Sequence, residues 1–600
     1  MTHRGRRPGW RRGLALCGAA LAVVLSGCSS AGTTTTTVTY VPVAGGTISF
    51  GMDQAPTGCN PHTPSGDTSA TNVVLAAVLP SPFLVSSTGD VIPNPNLIQQ
   101  SELVSTKPET IVYTLNPQAV WSDGVPITAK DFIYAWQQQR TDSDANPNSV
   151  ASVAGYRDIA SVKGSNDGRT VTVVFHTLFA DWQMLFANLL PAHIMQTVGW
   201  NPKCSTVSAA IDLSGGPFKI TSVTPQAIGL IANPKWWGTA PNVRGLVVRL
   251  ANSATQLTQW TQSGVVQVAA PDSISPVSLS QITSLPGAQS EVDPSSTFLQ
   301  LEMASGSDTL LPLDVRQAIA LSIDREALIT QQVNWALANE QVSTSHIEVQ
   351  GQLNYHGPPG SDTPPTVPTS TTTSTTTIGQ GGSVNFPVTP VLDQASSLME
   401  AADYFRTGSG PWVGGLGTAL TLRLAVDEGD SWAVSTAPQL EAQLEAGGFE
   451  VSIIPEISAT ATGMALSSGS ADLALMPRNG SPFLSQALAW YTLLLGDPGQ
   501  DGSQDWSNYD DSTFNQQVTT ASQQLNPNTA ATDYGTADDQ LWTDMVALPL
   551  FAEPVAFVWS RAVSGITPTP ASDSLLWYAQ NWAIRVPETT GSTTPTIPNQ

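Results

Sequence analysis

Six hundred residues exceed what one hydrophobic core can hold, and a prior of roughly 150 residues per domain divides the chain into two to four compact units. Its 23 basic residues stand against 47 acidic ones, a formal net charge of -24. That balance excludes nucleic acid and anionic lipid as partners recruited by charge, since neither is attracted to an acidic surface.

The basic residues are also unevenly placed. Arg4, Arg6, Arg7, Arg11 and Arg12 crowd the N-terminus, and the chain behind residue 28 carries 18 Lys and Arg against 47 acids, near -29. Those arginines precede an apolar run, Leu14 to Leu25, that is too short to span a bilayer, and Leu25-Ser-Gly-Cys28 matches a bacterial lipobox. Residues 1–27 are therefore read as a lipoprotein signal peptide. Cys28 becomes the lipid-bearing first residue of an extracytoplasmic protein, attached to the outer face of the cell membrane through that anchor alone. Arg11-Arg12 resembles a twin-arginine export signal, and Sec export fits equally well. Of four cysteines, Cys17 leaves with the leader and Cys28 carries lipid. Cys59 and Cys204 remain, and such a pair in an exported chain reads as one disulfide, with two buried thiols as the alternative.

Residues 28–44, with threonines at 33–37, have the composition of a flexible tether. Thr47 to Phe50 is a first strand, and Gly58 to His62 is a turn-rich loop that leaves His62 in solvent. Leu75 to Phe83 reads as a helix running into Leu79-Pro-Ser-Pro-Phe83. Thr110 to Leu115 is a β-branched and aromatic strand, and Asp123-Gly124 is a turn. Pro126 then delays a helix until Thr128, whose hydroxyl caps it while Asp131 reaches back as the capping-box acid. Phe132, Ile133, Ala135 and Trp136 follow at helical spacing. Thr170 to His176 is another strand, and a helix is expected from Trp182 to Leu190, ending at Pro191-Ala-His193-Ile194 with His193 structural.

The stretch from Trp121 to Trp136 resembles the W-x-D-G-x-P-x-T-A-x-D-F-x-Y-x-W signature of the family 5 extracytoplasmic solute-binding proteins, the dipeptide, oligopeptide and nickel receptors of ABC importers. A second match, Leu311 to Leu328, resembles the family's D-x-R-V-R-Q-A-x-x-x-A-I-D-R. Physically it is two helices: Asp314 caps the first, Asp324 caps the second, and Val315, Ile319, Ser322 and Ile323 form one stripe. Weaker matches are Gly215-Gly-Pro-Phe-Lys-Ile220, Asn233 to Gly238, and Ser263 to Ala269, where Gln267 replaces the usual aspartate.

What the resemblance implies is an α/β fold of the two-lobed periplasmic-binding-protein type (type II, cluster C), with a hinge and a ligand cleft between the lobes. Residues 45–270 form lobe I with an N-terminal subdomain, 271–545 form lobe II, 546–585 return to lobe I, and 586–600 are a polar tail. Within lobe II, residues 355–383 are Gly, Pro, Ser and Thr almost throughout, which cannot bury a core and reads as a disordered insertion. Leu420 to Val426, Ala437 to Glu445 and Phe449 to Ile454 form a strand, helix and strand, and Ala471 to Met476 is a further strand.

In peptide-binding relatives the loop after that last strand offers an aspartate to the peptide's amino group. Here the loop reads Pro477-Arg478-Asn479-Gly480-Ser481, with no acid and one guanidinium. Arg478, Asn479, Gly480 and Ser481 are thus candidate ligand residues, faced from lobe I by Pro80, Ser81, Pro82 and Phe83. The solute implied is neutral or acidic, or a peptide held by its backbone and carboxylate.

No enzyme motif is present: H-E-x-x-H, G-x-S-x-G, C-x-x-C and Walker A are missing, and the six histidines lack ligand spacing, so no catalytic residue, metal or cofactor is expected. The function implied is a monomeric binding protein that delivers a peptide or peptide-like solute to ABC permease subunits. Segments at Val78 to Phe83, Phe132 to Gln138 and Leu190 to Ile194 also resemble actinobacterial lipoproteins of this fold that regulate cell-envelope glycolipid synthesis, the alternative role.

Overall fold

The computed structural model describes residues 40–58, 60–87, 89–140, 150–200, 213–271, 274–305, 312–337, 342–348, 386–488, 490–492, 505–570 and 575–588. The compact unit that carries the sites runs from Val41 to Val586. Cys28, Cys59, Cys204 and the insertion at 355–383 lie outside the described residues.

A ten-stranded sheet is the frame. At one side, Thr421–Asp427 runs parallel to both Glu450–Glu456 and Leu473–Asn479. At the other, Thr47–Met52 runs parallel to both Gly245–Leu250 and Val268–Ala269, with the antiparallel pair Ala227–Ala232 and Phe218–Thr224 beyond. Two long antiparallel strands, Ala288–Met303 and Ala547–Ser560, join the halves. The first pairs with Leu473–Asn479 at its C-terminal half, and the second pairs with Val268–Ala269 near its own C-terminus. Each therefore passes from one lobe into the other.

Apolar burial follows the same division. One core gathers Phe50, Trp121, Phe132, Leu246 and Trp582. Another gathers Leu301, Val315, Leu424 and Leu475 and reaches back to Leu257 and Leu279, while a third cluster joins Tyr491, Phe514, Tyr534 and Leu541. The N-terminal subdomain is a four-stranded sheet in which Glu109–Leu115 lies between Ile98–Thr106 and Thr170–Phe175. Its Ile111, Tyr113 and Leu115 alternate inward, as period-2 patterning requires.

The signature folds as its residues dictate. Asp123 Oδ1 accepts the Val125 N–H at 2.9 Å and Gly124 takes φ 93°, closing the turn. Helix Ala129–Gln139 starts with the full capping box, Asp131 Oδ2 accepting the Thr128 N–H at 2.8 Å. Asp324 also caps as expected, accepting the Ala327 N–H at 2.8 Å.

Several sequence expectations are corrected. Helix Ser69–Leu75 ends where a helix was expected to begin, because Ala77 and Val78 give their carbonyls to Phe218 and Gly215 and two prolines follow. Between Trp182 and Leu190 only a 3-10 turn forms, Trp182–Met184. The N–H groups a helix would use are captured elsewhere: Phe186 donates to the Tyr156 hydroxyl at 2.7 Å and Asn188 to Ser81 Oγ at 2.9 Å. The helix comes later, at Ala192–Val198. Asp314 lies in the first turn of Leu313–Leu321 and makes no cap, because Pro312 occupies the N-cap position.

Candidate functional site

The ladder between the crossing strands breaks at prolines. Pro294 faces Pro554 and the next pair is Phe298 with Ala552, so Ser295, Ser296 and Thr297 stand opposite Glu553 alone. Proline brings no N–H to a ladder, and the surplus residues bulge and bend the strand there. Ser295 Oγ accepts the Thr297 N–H at 3.0 Å, and the Ser296 N–H turns out to the Pro570 carbonyl at 3.2 Å.

A cavity of about 110 Å³ opens at this bend. Phe50 and Met52 line it from the C-terminal end of Thr47–Met52, and Ala270 from the end of Val268–Ala269. From the other half of the sheet comes Trp432, in the first turn of helix Ser431–Ala446, directly after strand Thr421–Asp427. Asp430 fixes that turn by accepting the Trp432 and Ala433 N–H groups at 2.9 and 3.1 Å, and burial pushes its carboxyl up. Carboxyl ends of parallel strands from both halves thus converge on one hollow, the position where open α/β sheets take ligands. Among the described residues lining it, Glu553 is the one charged group; Ser69, Thr297 and Thr569 add hydroxyls.

The two lobes also touch away from the bend. Ala180 donates its N–H to the Ser522 carbonyl at 2.8 Å. Asp181 Oδ2 accepts the Ser485 N–H at 3.0 Å together with the Ser485 hydroxyl, and burial raises the Asp181 carboxyl. The loop holding Asp181 is itself fixed by Glu109, whose Oε2 accepts the Phe179 N–H at 2.7 Å.

The residues expected to face each other across the cleft are placed differently. Pro80, Ser81, Pro82 and Phe83 are all buried within lobe I. Asn94 donates to the carbonyls of Ser81 and Pro82, Leu189 donates to that of Pro80, and the Phe83 ring packs edge-on to Tyr113 and Trp182. None of the four lines the cavity at the bend. Arg478 is not in a loop: strand Leu473–Asn479 runs two residues past Pro477, and the guanidinium is 3% exposed. It forms an ion pair with Glu302, Nε donating to Oε1 at 2.5 Å, and lies over the Trp490 ring. Asn479 and Gly480 back the cavity wall, Asn479 Oδ1 accepting from the Thr297 hydroxyl at 2.6 Å and Gly480 N–H donating to Ser296. Ser481 donates to Gln486 at 2.7 Å.

His62 is not a solvated loop residue. Its ring stacks on Trp200, its Nε2 lies 3.0 Å from the Asn188 carbonyl, and burial pulls its pKa down to about 4. His193 holds the signature turn through Asp123 at 2.9 Å. Gln267 makes two backbone ties, accepting from Ser49 N–H at 2.8 Å and donating to Gly264. Sequence reasoning missed Trp432, Ser295 to Thr297 and Glu553. The proline that precedes Ser-Ser-Thr, and the aspartate two residues before Trp432, were the available signals. Among the described residues no group of three or more His, Cys, Asp or Glu side chains could hold a metal ion.

With the geometry in place, the comparisons with known proteins agree on one family. The family model described as "Bacterial extracellular solute-binding proteins, family 5 Middle" matches residues 93–500. The chain is 30% identical over 297 residues to "Probable monoacyl phosphatidylinositol tetramannoside-binding protein LpqW" of Mycobacterium tuberculosis, covering 47% of this chain and 44% of that protein. It is 28% identical over 363 residues to "Oligopeptide-binding protein OppA" of the same organism, covering 56% of this chain and 60% of that protein. The matches thus span about half the length of these relatives. Among solved structures, "Periplasmic EDTA-binding protein EppA" superposes with a TM-score of 0.79 at 24% identity, over 92% of this chain and 98% of the other. The oligopeptide-binding protein AppA of Bacillus subtilis, in complex with a nonapeptide, gives 0.68 at 15% identity, over 91% and 100%. These likenesses show a shared two-lobed fold.

Proposed function

Because this chain belongs to the family 5 bacterial extracellular solute-binding proteins, we propose that it is a lipid-anchored receptor that encloses a peptide or peptide-like solute between its lobes and delivers it to an ABC permease. The observation that carries this reading is the cavity at the bend of the two crossing strands, walled by both halves of the sheet. A bend at two strands is where a small change of backbone angle opens or shuts such a hollow, and the altered surface is what a permease reads.

The composition of the wall revises the solute expected from the sequence. Arg478 is engaged by Glu302, so it is not offered to a carboxylate, and Glu553 lines the cavity. The solute we infer is neutral or carries a positive amine rather than acidic. Calorimetry of the mature protein against short peptides with free and acetylated amino groups tests this. Free peptides should bind, and Glu553→Gln should weaken them about tenfold or more, the scale of a lost charge-assisted bond. Equal affinity for acidic solutes in both forms would sink the assignment.

The anchor and the disulfide belong to the same reading. Cys28→Ala should shift the protein from the membrane to the soluble fraction. Cys59 and Cys204, the two cysteines left in the exported chain, are expected to pair. Mass spectrometry finding two free thiols in the exported protein removes that pairing. Among the described residues no helix is long and apolar enough to cross a membrane.

A second reading, a non-transport lipoprotein regulating envelope glycolipid synthesis, draws on the 30% identity to LpqW only in so far as that protein's name describes binding of a mannosylated phosphatidylinositol. Permease and ATPase genes beside this one support import. A deletion strain with altered envelope glycolipids and unchanged peptide uptake supports regulation.

A further inference from the structure

A second cavity, of about 280 Å³, shares no lining residue with the one at the bend and lies across helix Ser69–Leu75 from it, Ser69 and Val73 lining the first and Asn72 the second. Four of its fifteen lining residues carry side-chain amides, Asn72, Gln139, Asn188 and Gln486, and the indole of Trp577 stands among alanines beside them. Two of the amides and one carboxyl form a short chain of hydrogen bonds. Asn188 Nδ2 reaches Asn72 Oδ1 at 3.5 Å, and Asn72 Nδ2 donates to Asp67 Oδ1 at 3.3 Å. Asp67 is the charged residue among those described in the lining, and burial raises its carboxyl toward the neutral form. His62, also in the lining, is held neutral by burial with a pKa of about 4.

The backbone at this wall is unusual. Phe186 and Asn188 both adopt left-handed conformations, φ 63° and 48°, on either side of the lining residue Ala187. Left-handed non-glycine residues persist only where the surroundings hold them, here the Tyr156 hydroxyl and Ser81 Oγ, and they cluster at binding sites. They set the Asn188 side chain against Asn72.

A side-chain amide both donates and accepts, and the capacity left over, as at the NH2 of Gln486, whose oxygen is taken by Ser481, matches a hydroxyl able to give and accept at once. An indole face offers apolar surface to the C–H face of a ring. No Lys or Arg is among the described lining residues, so an anion finds no counter-charge, and the one acid is already bonded to Asn72. We propose that this cavity binds a neutral polyhydroxylated ligand, an oligosaccharide, at a site separate from the cleft at the bend.

The site is also coupled to closure. Gln486 belongs to helix Leu484–Leu488 of lobe II, one residue after Ser485, which Asp181 of lobe I holds. Met184, from the loop that carries Asp181, lines the same cavity. A sugar touching both Asn72 and Gln486 therefore binds the closed arrangement better than the open one, and shifts the equilibrium by that difference.

The test uses the full mature protein with three neutral probes, maltotriose, cellotriose and mannotriose, followed by calorimetry and tryptophan fluorescence. At least one probe should bind. Gln486→Ala, at an exposed position that leaves the core intact, should weaken it several-fold, and Asn72→Leu and Trp577→Ala about tenfold or more. Absence of heat and of fluorescence change with all three probes overturns the proposal. So does binding that survives Gln486→Ala but is lost in Glu553→Gln, which puts the sugar in the cleft at the bend. Peptide affinity, measured on the same samples, reports separately on the transport reading.

Discussion

Two buried carboxylates, one in each lobe, are stabilised by opposite means. Asp131 of lobe I is 3% exposed, and its oxygens accept the N–H groups of Thr128 and Ala192 at 2.8 and 3.0 Å, inside the first turn of a helix, with His193 acting on it only through its field. Glu302 of lobe II is 1% exposed and meets Arg478 and the Gln300 amide. Backbone donors and a helix dipole are fixed by the fold itself, whereas a guanidinium is a second buried charge. The first arrangement is robust to side-chain change around it, and the second is only as stable as its partner.

That contrast predicts the largest effect in lobe II. Glu302→Leu removes the carboxylate in contact with the buried Arg478 guanidinium and leaves Asp505 to act on it through its field, and breaking a buried pair costs about 3–5 kcal/mol. Urea unfolding should show this as a lowered midpoint with the slope retained. Pairing it with Arg478→Met removes both charges and should restore most of the loss, since a buried ion pair is often replaceable by packed apolar groups. If the double variant is as unstable as the single one, the pair is held by more than charge. Should Arg478→Met instead abolish solute binding in a stably folded protein, the guanidinium faces the ligand after all.

A smaller effect is expected in lobe I. Asp131→Ala removes the capping box and the tie to Ala192, leaving backbone N–H groups that water can partly reach, a loss of about 2–3 kcal/mol. Asp131→Asn keeps one acceptor but sets its NH2 against the other backbone N–H, so it should lose only somewhat less than Asp131→Ala. A negligible loss for either variant would mean that these two backbone donors do not hold the turn, and the contrast with Glu302 would fail.

The same contrast explains how much the sequence disclosed. Everything around Asp131 is local: Thr128 lies three residues away and the turn at Asp123 and Gly124 immediately before, so the signature and its cap were legible as spacing. Asp324, capping Ala327, was legible for the same reason. The family and its two-lobed fold followed from such stretches. The site did not. Glu302 and Arg478 sit on different strands, and the bend exists only because Pro294 comes opposite Pro554, a register that no local pattern encodes. Leu79 to Phe83 looked like a cleft wall because its prolines mark an irregular segment, yet that irregularity serves to hand carbonyls to Asn94 and Leu189. Arg478 looked available because the charge that neutralises it is 176 residues away.

Glu109 sharpens the comparison, because it is a buried acid with neither solution. It is 1% exposed; Oε2 accepts one N–H, from Phe179, and Oε1 has no hydrogen-bond partner. Burial, with a small addition from Asp158, pushes its pKa from 4.5 up to about 7. Below pH 4.5 both folded and unfolded chains hold the proton and the group contributes nothing to the pH dependence. Above it the unfolded chain ionises first, so the folded state binds more protons and stability falls as pH rises toward 7, then levels. Allowing for screening, the fall is on the order of 1–2 kcal/mol. Glu109→Gln keeps the acceptor for Phe179 and cannot ionise, so it should flatten the stability profile between pH 4.5 and 7 and leave the variant the more stable form at pH 8. Thermal unfolding across that range reads both. A Glu109→Gln profile as steep as the wild type would mean that Glu109 is already ionised in the fold, and that a lone backbone donor suffices where Asp131 uses two.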